Sequence, residues 1–129
     1  MIIDTSVIIA IFGDEPGSEQ LSAAIQAAAV REMSMASYVE AAAVLWGRAI
    51  SPTDLDDLLG LLDINLVPVD EAQGREAIRA RVIYGKGSSH RANLNFGDTF
   101  TYALAKTRGS PLLFVGDDFS HTDLIDALA

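Results

Sequence analysis

The chain has 129 residues, half of them hydrophobic, and neither glycine nor proline is enriched, so we expect one folded domain spanning residues 1–129. It contains no cysteine, which excludes disulfides, thiolate metal sites and a cysteine nucleophile and suits a reducing cytoplasm. No apolar run approaches the roughly 20 residues of a membrane helix, and no basic region precedes the first apolar residues, so we expect neither a membrane span nor a signal peptide.

The charges of this chain are unevenly distributed. The net charge at pH 7 is -9, and an acidic surface taken alone repels nucleic acid. Five of the nine basic residues nevertheless fall within residues 75–91, where Glu76 is the only acid, and this basic segment carries about +4. Its basic residues are Arg75, Arg79, Arg81, Lys86 and Arg91. The protein is therefore acidic with one basic strip.

Hydrophobic periodicity and turn residues predict strands that alternate with helices along the whole chain. In chain order we expect a strand at 1–4, a helix at 6–12, a helix capped by Ser18, a strand at 32–35, a helix at 39–49, a helix starting at Ser51, a strand at 64–69, helices at 71–85 and 95–107, a strand at 112–115, and a last short strand or helix at 122–128. This alternation predicts a mostly parallel sheet with helices on both faces, which is an α/β/α sandwich.

Helix starts and buried faces also follow from the pattern. Asp70 with Gln73 is typical of a capping box for the helix at 71–85. The apolar side of that helix is predicted to comprise Ala77, Ile78 and Val82. The residues of the helix at 95–107 that we expect to point inward are Phe96, Phe100, Ala103 and Leu104.

Acidic residues follow two of the predicted strands. Asp4 ends the first strand, and Asp117 and Asp118 come directly after the strand at 112–115. Because sites in open parallel sheets form outside the carboxyl ends of the strands, we expect these acids at one edge. The structural alternatives are a helix cap for Asp4 and a simple turn for Gly116 and the two acids after it.

Two further acids belong to predicted helices. Glu40 lies on an apolar stripe, where a carboxylate costs free energy unless it is paired or bound to a cation. Asp98 lies in the first turn of the helix at 95–107, where the alternative role is a favourable interaction with the helix dipole. Clustered carboxylates repel one another unless a cation is present, and oxygen-only ligands select Mg²⁺ or Mn²⁺. Together the acids predict a metal site.

Other chemistries lack necessary residues. His90 and His121 are not at metal-ligand spacing and are interpreted as surface histidines. Neither a Ser-His-Asp pattern nor a nucleophile elbow is present. No glycine-rich loop matches a phosphate-binding or dinucleotide fingerprint, which argues against a nucleotide cofactor.

Four stretches carry a resemblance to a known family. They are residues 1–6 (MIIDTS), Glu40 on an alanine-rich helix, residues 94–98 (LNFGD) running into 102–105 (YALA), and residues 112–119 (LLFVGDDF) followed by Thr122 and Asp123. With these motifs the chain resembles a PIN domain over nearly its whole length, specifically the VapC toxins of bacterial toxin–antitoxin pairs.

The resemblance implies a roughly five-stranded parallel sheet and a single-strand-specific endoribonuclease that uses Mg²⁺ or Mn²⁺. It also implies a cognate antitoxin and a homodimer. Carried over residue by residue, it makes Asp4, Glu40 and Asp98 the three core acids, with Asp117 as the fourth and Asp118 as a close alternative. Hydroxyls that would support these ligands are Thr5, Ser6 and Thr99. We hypothesise that the basic segment guides the RNA backbone towards the acids.

Three alternatives remain at this point. The first is another Mg²⁺-dependent phosphoesterase, such as a haloacid-dehalogenase-like phosphatase, which needs a second aspartate two residues after the first, where Ser6 stands. A phospho-receiver-like module would need paired acids after the first strand and a lysine after a late strand, but Val115 is followed by Gly116 and Asp117. A nuclease-inactive interaction module would keep the fold without the acids, all of which are present here.

Overall fold

A computed structural model describes all 129 residues of the chain. Four short strands alternate with six helices, followed by a single 3₁₀ turn. In chain order they are β1 (Ile2–Ile3), α1 (Thr5–Phe12), α2 (Ser18–Ala27), β2 (Glu32–Ser34), α3 (Met35–Trp46), α4 (Pro52–Leu61), β3 (Asn65–Val67), α5 (Glu71–Tyr84), α6 (Phe96–Arg108), β4 (Leu112–Leu113) and the 3₁₀ turn (Asp118–His121). The predicted element order is confirmed.

The sheet is wholly parallel, with the strand order β3-β2-β1-β4. It has four strands rather than five. The C-terminal segment at 122–128 forms neither a helix nor a full strand, and it pairs with β4 through one parallel bridge between Leu112 and Asp126. Two backbone bonds hold that bridge, from Leu112 N to Ile125 O at 2.8 Å and from Ala127 N to Leu112 O at 2.9 Å.

Adjacent residues of β1 and β4 contribute to two separate cores, because successive strand side chains point to opposite faces. Ile3 and Leu113 pack with residues of α1, α2, α3 and α4 on one face. Ile2 and Leu112 pack with residues of α5 and α6 on the other face. The α/β/α sandwich predicted from the sequence is therefore confirmed.

The buried face of α5 differs from the prediction. It consists of Gln73, Ala77 and Ala80, whereas Ile78 is 67% and Val82 71% exposed. Small alanine side chains let α5 approach α6 closely, and this packing overrides the preference of the larger residues for the interior. The prediction that Ile78 and Val82 point inward was wrong.

The prediction that Phe96 points inward was also wrong. It is the first residue of α6, is 74% exposed, and contacts Phe100 edge to face with ring centroids 5.1 Å apart. Ala103 and Leu104, further along α6, are fully buried as predicted. The first turn of α6 therefore buries Asp98 and Thr99 and leaves Phe96 at the surface.

Helix capping matches the prediction in part. Ser51 caps α4 as expected, in a reciprocal capping box. Ser18 is not a cap, because Gly17 occupies the N-cap position of α2 and no side chain caps it. Asp70 accepts a bond from Gln73 N at 2.9 Å, but the Gln73 side chain donates to Pro68 O instead of reaching back.

The chain after the 3₁₀ turn is anchored to α6 by Asp123. This carboxylate accepts hydrogen bonds from Tyr102 Oη at 2.7 Å and from Lys106 Nζ at 2.6 Å. Partial burial raises the pKa of Asp123, but the bonds from Lys106 and Tyr102 outweigh it and hold the pKa below its usual value. No helix of the protein has the length and apolar character that a membrane crossing requires.

Candidate metal centre

Four carboxylates from four parts of the chain line one open pocket of about 290 Å³ at the carboxyl end of the sheet. They belong to Asp4, Glu40, Asp98 and Asp118. No lysine, arginine or histidine lines this pocket. We call it the acidic pocket. The predicted convergence of acids from β1, α3, α6 and the segment after β4 is therefore what the structure shows.

Asp4 is the most firmly held of the four. It is 5% exposed and sits between β1 and α1, where it caps the helix. Its Oδ2 accepts from Ser6 N at 3.0 Å and from Ser6 Oγ at 2.6 Å, and its Oδ1 accepts from Thr101 Oγ1 at 2.8 Å. The cap proposed as a structural alternative therefore exists, and it fixes the carboxylate at the pocket wall.

Ser6 joins Asp4 to the far side of the pocket. Its hydroxyl donates to Asp4 and accepts from Val115 N at 3.0 Å. Val115 leaves β4 and leads into the turn that carries the last acid. The Ser6 side chain thus links the carboxyl ends of β1 and β4.

Asp98 combines a cap with a place in the acidic pocket. Its Oδ2 accepts from Asn95 N at 2.9 Å, and Asn95 Oδ1 accepts from Asp98 N at 2.9 Å, which completes a capping box at the start of α6. The other oxygen, Oδ1, makes no hydrogen bond with the protein. Asn95 also lines the pocket, a position that the sequence pattern did not indicate.

The pKa of Asp98 is raised to about 7. Burial is the main cause, opposed by the bond from Asn95 N and reinforced by the negative charges of Asp4, Asp118 and Glu40. A cation in the pocket would favour the ionised carboxylate and reverse this shift. The raised pKa of Asp98 therefore reflects its burial beside other carboxylates, in a pocket whose lining includes no basic residue.

Glu40 lies in the middle of α3 and its carboxylate makes no hydrogen bond with the protein. The carboxylate rests against the backbone of Gly97 in the first turn of α6. A Cβ built on Gly97 would overlap Glu40 Oε2 and stand 2.8 Å from its Cδ. Gly97 therefore provides the space that lets Glu40 face Asp98 across the pocket.

The last acid of the pocket is Asp118 and not Asp117. Both residues are exposed, but Asp118 lines the pocket and its charge acts on Asp98, whereas Asp117 does not line it. Gly116, with a φ of 97°, turns the chain after β4, and Asp118 then begins the 3₁₀ turn, whose Phe119 is buried. Of the two candidates for the fourth acid, the structure therefore places the alternative, Asp118, in the acidic pocket and leaves Asp117 outside it.

Two of the three predicted supporting hydroxyls bond to backbone oxygens and not to acids, although Thr5 lines the pocket. Thr5 Oγ1 donates to Ser37 O at 3.1 Å, and Thr99 Oγ1 donates to Phe96 O at 2.6 Å, so neither touches an acid. Thr101 holds Asp4 instead. Its spacing of three residues from Asp98, on the same face of α6, is the signal that could have indicated it.

The donor set suits a hard divalent cation. The charged groups of the pocket are all carboxylates, and the Glu40 carboxylate makes no hydrogen bond with the protein. Carboxylate oxygens select Mg²⁺ or Mn²⁺ over zinc. In this structure no three of the acidic side chains are arranged so that they could hold one metal ion together. Binding would therefore involve rotation of a side chain such as Glu40, or water molecules between ligand and ion, which Mg²⁺ commonly retains.

The basic segment lies outside the acidic pocket, and part of its charge is neutralised. Arg75 pairs with Glu71 at 2.8 Å and Arg79 with Glu76 at 2.9 Å. Arg81 donates to the backbone oxygen of Lys86. The segment's residues without an acidic partner are Arg81, Lys86 and Arg91.

A second, larger cleft of about 450 Å³ lies between α5 and α6. Its walls are mostly apolar and include Ile78, Val82, Phe96 and Phe100, with Arg81 as the one charged residue. It contains no acid, so unlike the acidic pocket it offers no carboxylate to a cation.

Comparison with known proteins agrees with this geometry. The PIN domain family matches residues 1–124. The chain belongs to the PIN domain family.

Several curated relatives of known name are similar over nearly the full chain. Ribonuclease VapC30 of Mycobacterium tuberculosis is 48% identical over 126 residues, which cover 96% of this chain and 95% of that protein. Ribonuclease VapC42 of the same organism is 44% identical and covers 96% of each chain. Ribonuclease VapC of Mycolicibacterium smegmatis is 48% identical and covers 96% of this chain and 97% of that one.

Solved structures share the fold at low identity. The crystal structure of Mycobacterium tuberculosis VapC20, titled a sarcin-ricin loop cleaving toxin, has a TM-score of 0.76 at 16% identity and covers 97% of this chain and 96% of that one. A toxin–antitoxin complex from Klebsiella pneumoniae has a TM-score of 0.71 at 16% identity and covers 98% and 96%. These likenesses establish the sandwich architecture.

Proposed function

We propose that this protein is an endoribonuclease dependent on Mg²⁺ or Mn²⁺, and that it is the toxin of a toxin–antitoxin pair. The observation that carries the proposal is the convergence of four carboxylates in one pocket without a basic residue. The relatives that are 44–48% identical bear the name ribonuclease, which supports RNA as the substrate. A nuclease-inactive module is disfavoured, because no member of the acid set has been lost.

The four acids differ in how firmly hydrogen bonds hold their carboxylates, and their proposed roles follow this difference. Asp4 and Asp98, fixed by hydrogen bonds, would be the main ligands of the cation. Asp118 would complete the set, and the unbonded Glu40 would either bind the cation or orient the attacking water. A bound divalent cation would lower the pKa of a water and offset charge on the scissile phosphate. No covalent enzyme intermediate is needed.

Metal dependence of RNA cleavage tests the proposed activity. Purified protein freed of metal with EDTA should leave a panel of single-stranded RNAs intact, and millimolar Mg²⁺ or Mn²⁺ should restore cleavage. Ca²⁺ is a useful comparison, because its larger and more flexible coordination fits a Mg²⁺ site poorly. Cleavage that persists in EDTA, or an absence of cleavage of every RNA with Mn²⁺, would refute the proposal.

We also propose that the unpaired part of the basic segment attracts the RNA backbone. The acidic remainder of the surface repels RNA, so Arg81, Lys86 and Arg91 are the charges available to steer it. Arg75 is a matched control, because Glu71 already offsets its charge.

Arg81→Glu should therefore weaken the binding of single-stranded RNA at low salt and flatten the salt dependence, whereas Arg75→Glu should have a smaller effect. Fluorescence anisotropy at several salt concentrations measures both quantities. Equal affinity and equal salt slope for wild type and Arg81→Glu would exclude this role.

The proposed partners are a cognate antitoxin and a second copy of the chain, in the cytoplasm. Exposed apolar residues support protein partners, since large apolar surfaces on a soluble domain commonly mark interfaces. Val39 and Trp46 on α3 are 57% and 69% exposed, and the cleft between α5 and α6 adds further apolar surface. Sedimentation of the chain alone tests the homodimer, and a monomer would refute it. Sedimentation after co-expression with the product of the adjacent reading frame tests the antitoxin partner, and absence of a complex would refute that.

A further inference from the structure

A chain of buried hydroxyl groups leads from α3 through α6 to Asp4. Thr101 Oγ1 lies 2.8 Å from Asp4 Oδ1, and Ser37 Oγ lies 2.9 Å from Thr101 Oγ1. Ser37 is 2% and Thr101 1% exposed. Two hydroxyls shielded from water this completely are costly unless each has a partner, and here each partner is the next group in the chain.

The direction of these bonds follows from what each group can do. A carboxylate oxygen only accepts, so the single hydroxyl proton of Thr101 is donated to Asp4. Thr101 Oγ1 must then accept from Ser37, which makes Ser37 the donor of the second bond. The backbone of Ser37 is itself held by Thr5 Oγ1, which donates to Ser37 O at 3.1 Å.

Thr101 departs from the behaviour of other threonines on α6. Thr99 and Thr107 donate to the backbone oxygens three residues earlier, Phe96 O and Leu104 O, which is the usual local bond of a helical threonine. Thr101 instead donates to a residue 97 positions away in the chain. Its hydroxyl therefore serves Asp4 and contributes nothing to the helix.

The hydrogen bonds that Asp4 accepts determine how many lone pairs of its carboxylate oxygens remain free. Each carboxylate oxygen accepts about two hydrogen bonds. Oδ2 already accepts from Ser6 N and Ser6 Oγ, whereas Oδ1 accepts from Thr101 alone. One lone pair, on Oδ1, is left for any further ligand.

We propose that Thr101, supported by Ser37, is a positioning residue that fixes Asp4 so that it binds a divalent cation through Oδ1 alone. The inference rests on the proposed metal-dependent function. Without the Thr101 bond the Asp4 carboxylate would be held on Oδ2 only, and Oδ1 would be free to turn away from the orientation that it has here. Outer hydrogen bonds of this kind typically change metal affinity by about 10–100-fold.

Three variants of full-length protein separate positioning from packing. Thr101→Val keeps the shape and removes the hydroxyl, Thr101→Ser keeps the hydroxyl and removes a methyl group, and Thr99→Val removes a hydroxyl that touches no acid. Calorimetric titration with Mn²⁺ should show Thr101→Val binding about 10–100-fold more weakly than wild type. The Mn²⁺ affinity of Thr101→Ser should stay within about threefold of the wild-type affinity, and that of Thr99→Val should equal the wild-type affinity.

The outcomes distinguish this inference from the proposed function. Wild type without saturable Mn²⁺ binding would refute both. If wild type binds Mn²⁺ and Thr101→Val binds it with equal affinity, only the positioning role is overturned. The same holds if Thr101→Ser binds Mn²⁺ as weakly as Thr101→Val. If Thr101→Val does not fold, Ser37→Ala takes its place: it should fold and lose about three- to tenfold in Mn²⁺ affinity, and unchanged affinity would overturn the inference.

Discussion

Asp4→Asn should reduce the rate of RNA cleavage on the order of 10³-fold, since loss of a metal ligand removes several kcal/mol of transition-state stabilisation. Asparagine has the shape of aspartate but lacks its charge, and only one of its two terminal atoms accepts hydrogen bonds. Three donor bonds, from Ser6 N, Ser6 Oγ and Thr101 Oγ1, converge on this carboxylate. The variant therefore loses the ligand and part of the helix cap together.

Single-turnover cleavage of a short labelled RNA with saturating Mn²⁺ measures this effect. Circular dichroism and a thermal melt should show a folded protein, because the lost cap costs only about 1 kcal/mol. Asp117→Asn is the matched control: it removes a nearby negative charge outside the acidic pocket and should cleave at close to the wild-type rate. Undiminished cleavage by Asp4→Asn would show that the activity arises at another site or in a contaminant.

Gly97→Ala should lower cleavage by about 10–100-fold while leaving the protein folded. The added methyl group would take the place of the Glu40 carboxylate. That carboxylate is the flexible end of a long side chain, so it can move away at small cost in stability. Its displacement removes it from the acidic pocket, which is why activity should suffer more than folding.

Gly74→Ala on α5 provides the control for the glycine substitution. A Cβ at this position meets no atom within 4 Å, and alanine stabilises a helix interior by up to about 1 kcal/mol relative to glycine. Gly74→Ala should therefore melt at the same or a higher temperature and cleave normally. Should Gly97→Ala cleave as fast as Gly74→Ala, the position of Glu40 against Gly97 would have no part in the activity.

The order of the elements was predictable because local signals specify it. Short apolar runs at the strands and the three- and four-residue spacing in the helices indicated an α/β sandwich. Glu40 was identified by its apolar neighbours, and Asp4 by its position at a strand end. These signals depend on residues close in sequence and on the general rule that parallel strands end at a common edge.

The details that escaped prediction depend on contacts between distant residues. Asp117 and Asp118 are adjacent in a tight turn, and only the conformation of that turn decides which one faces the pocket. Ile78 lies on a helix with apolar residues on more than one side, so the pattern could not identify the face packed on α6. Thr101 supports Asp4 across 97 positions of sequence, so no local pattern links these two residues, and only the spacing of Thr101 from Asp98 on α6 could have indicated it.

The central claim is that the acidic pocket binds a divalent cation, with Asp118 rather than Asp117 as its last acid. Calorimetric titration of Mn²⁺ into wild type, Asp118→Asn and Asp117→Asn tests it most directly. We expect saturable binding by wild type and Asp117→Asn, and binding weakened about tenfold or more in Asp118→Asn. Absence of saturable binding by wild type, or a loss in Asp117→Asn as large as that in Asp118→Asn, would contradict the claim.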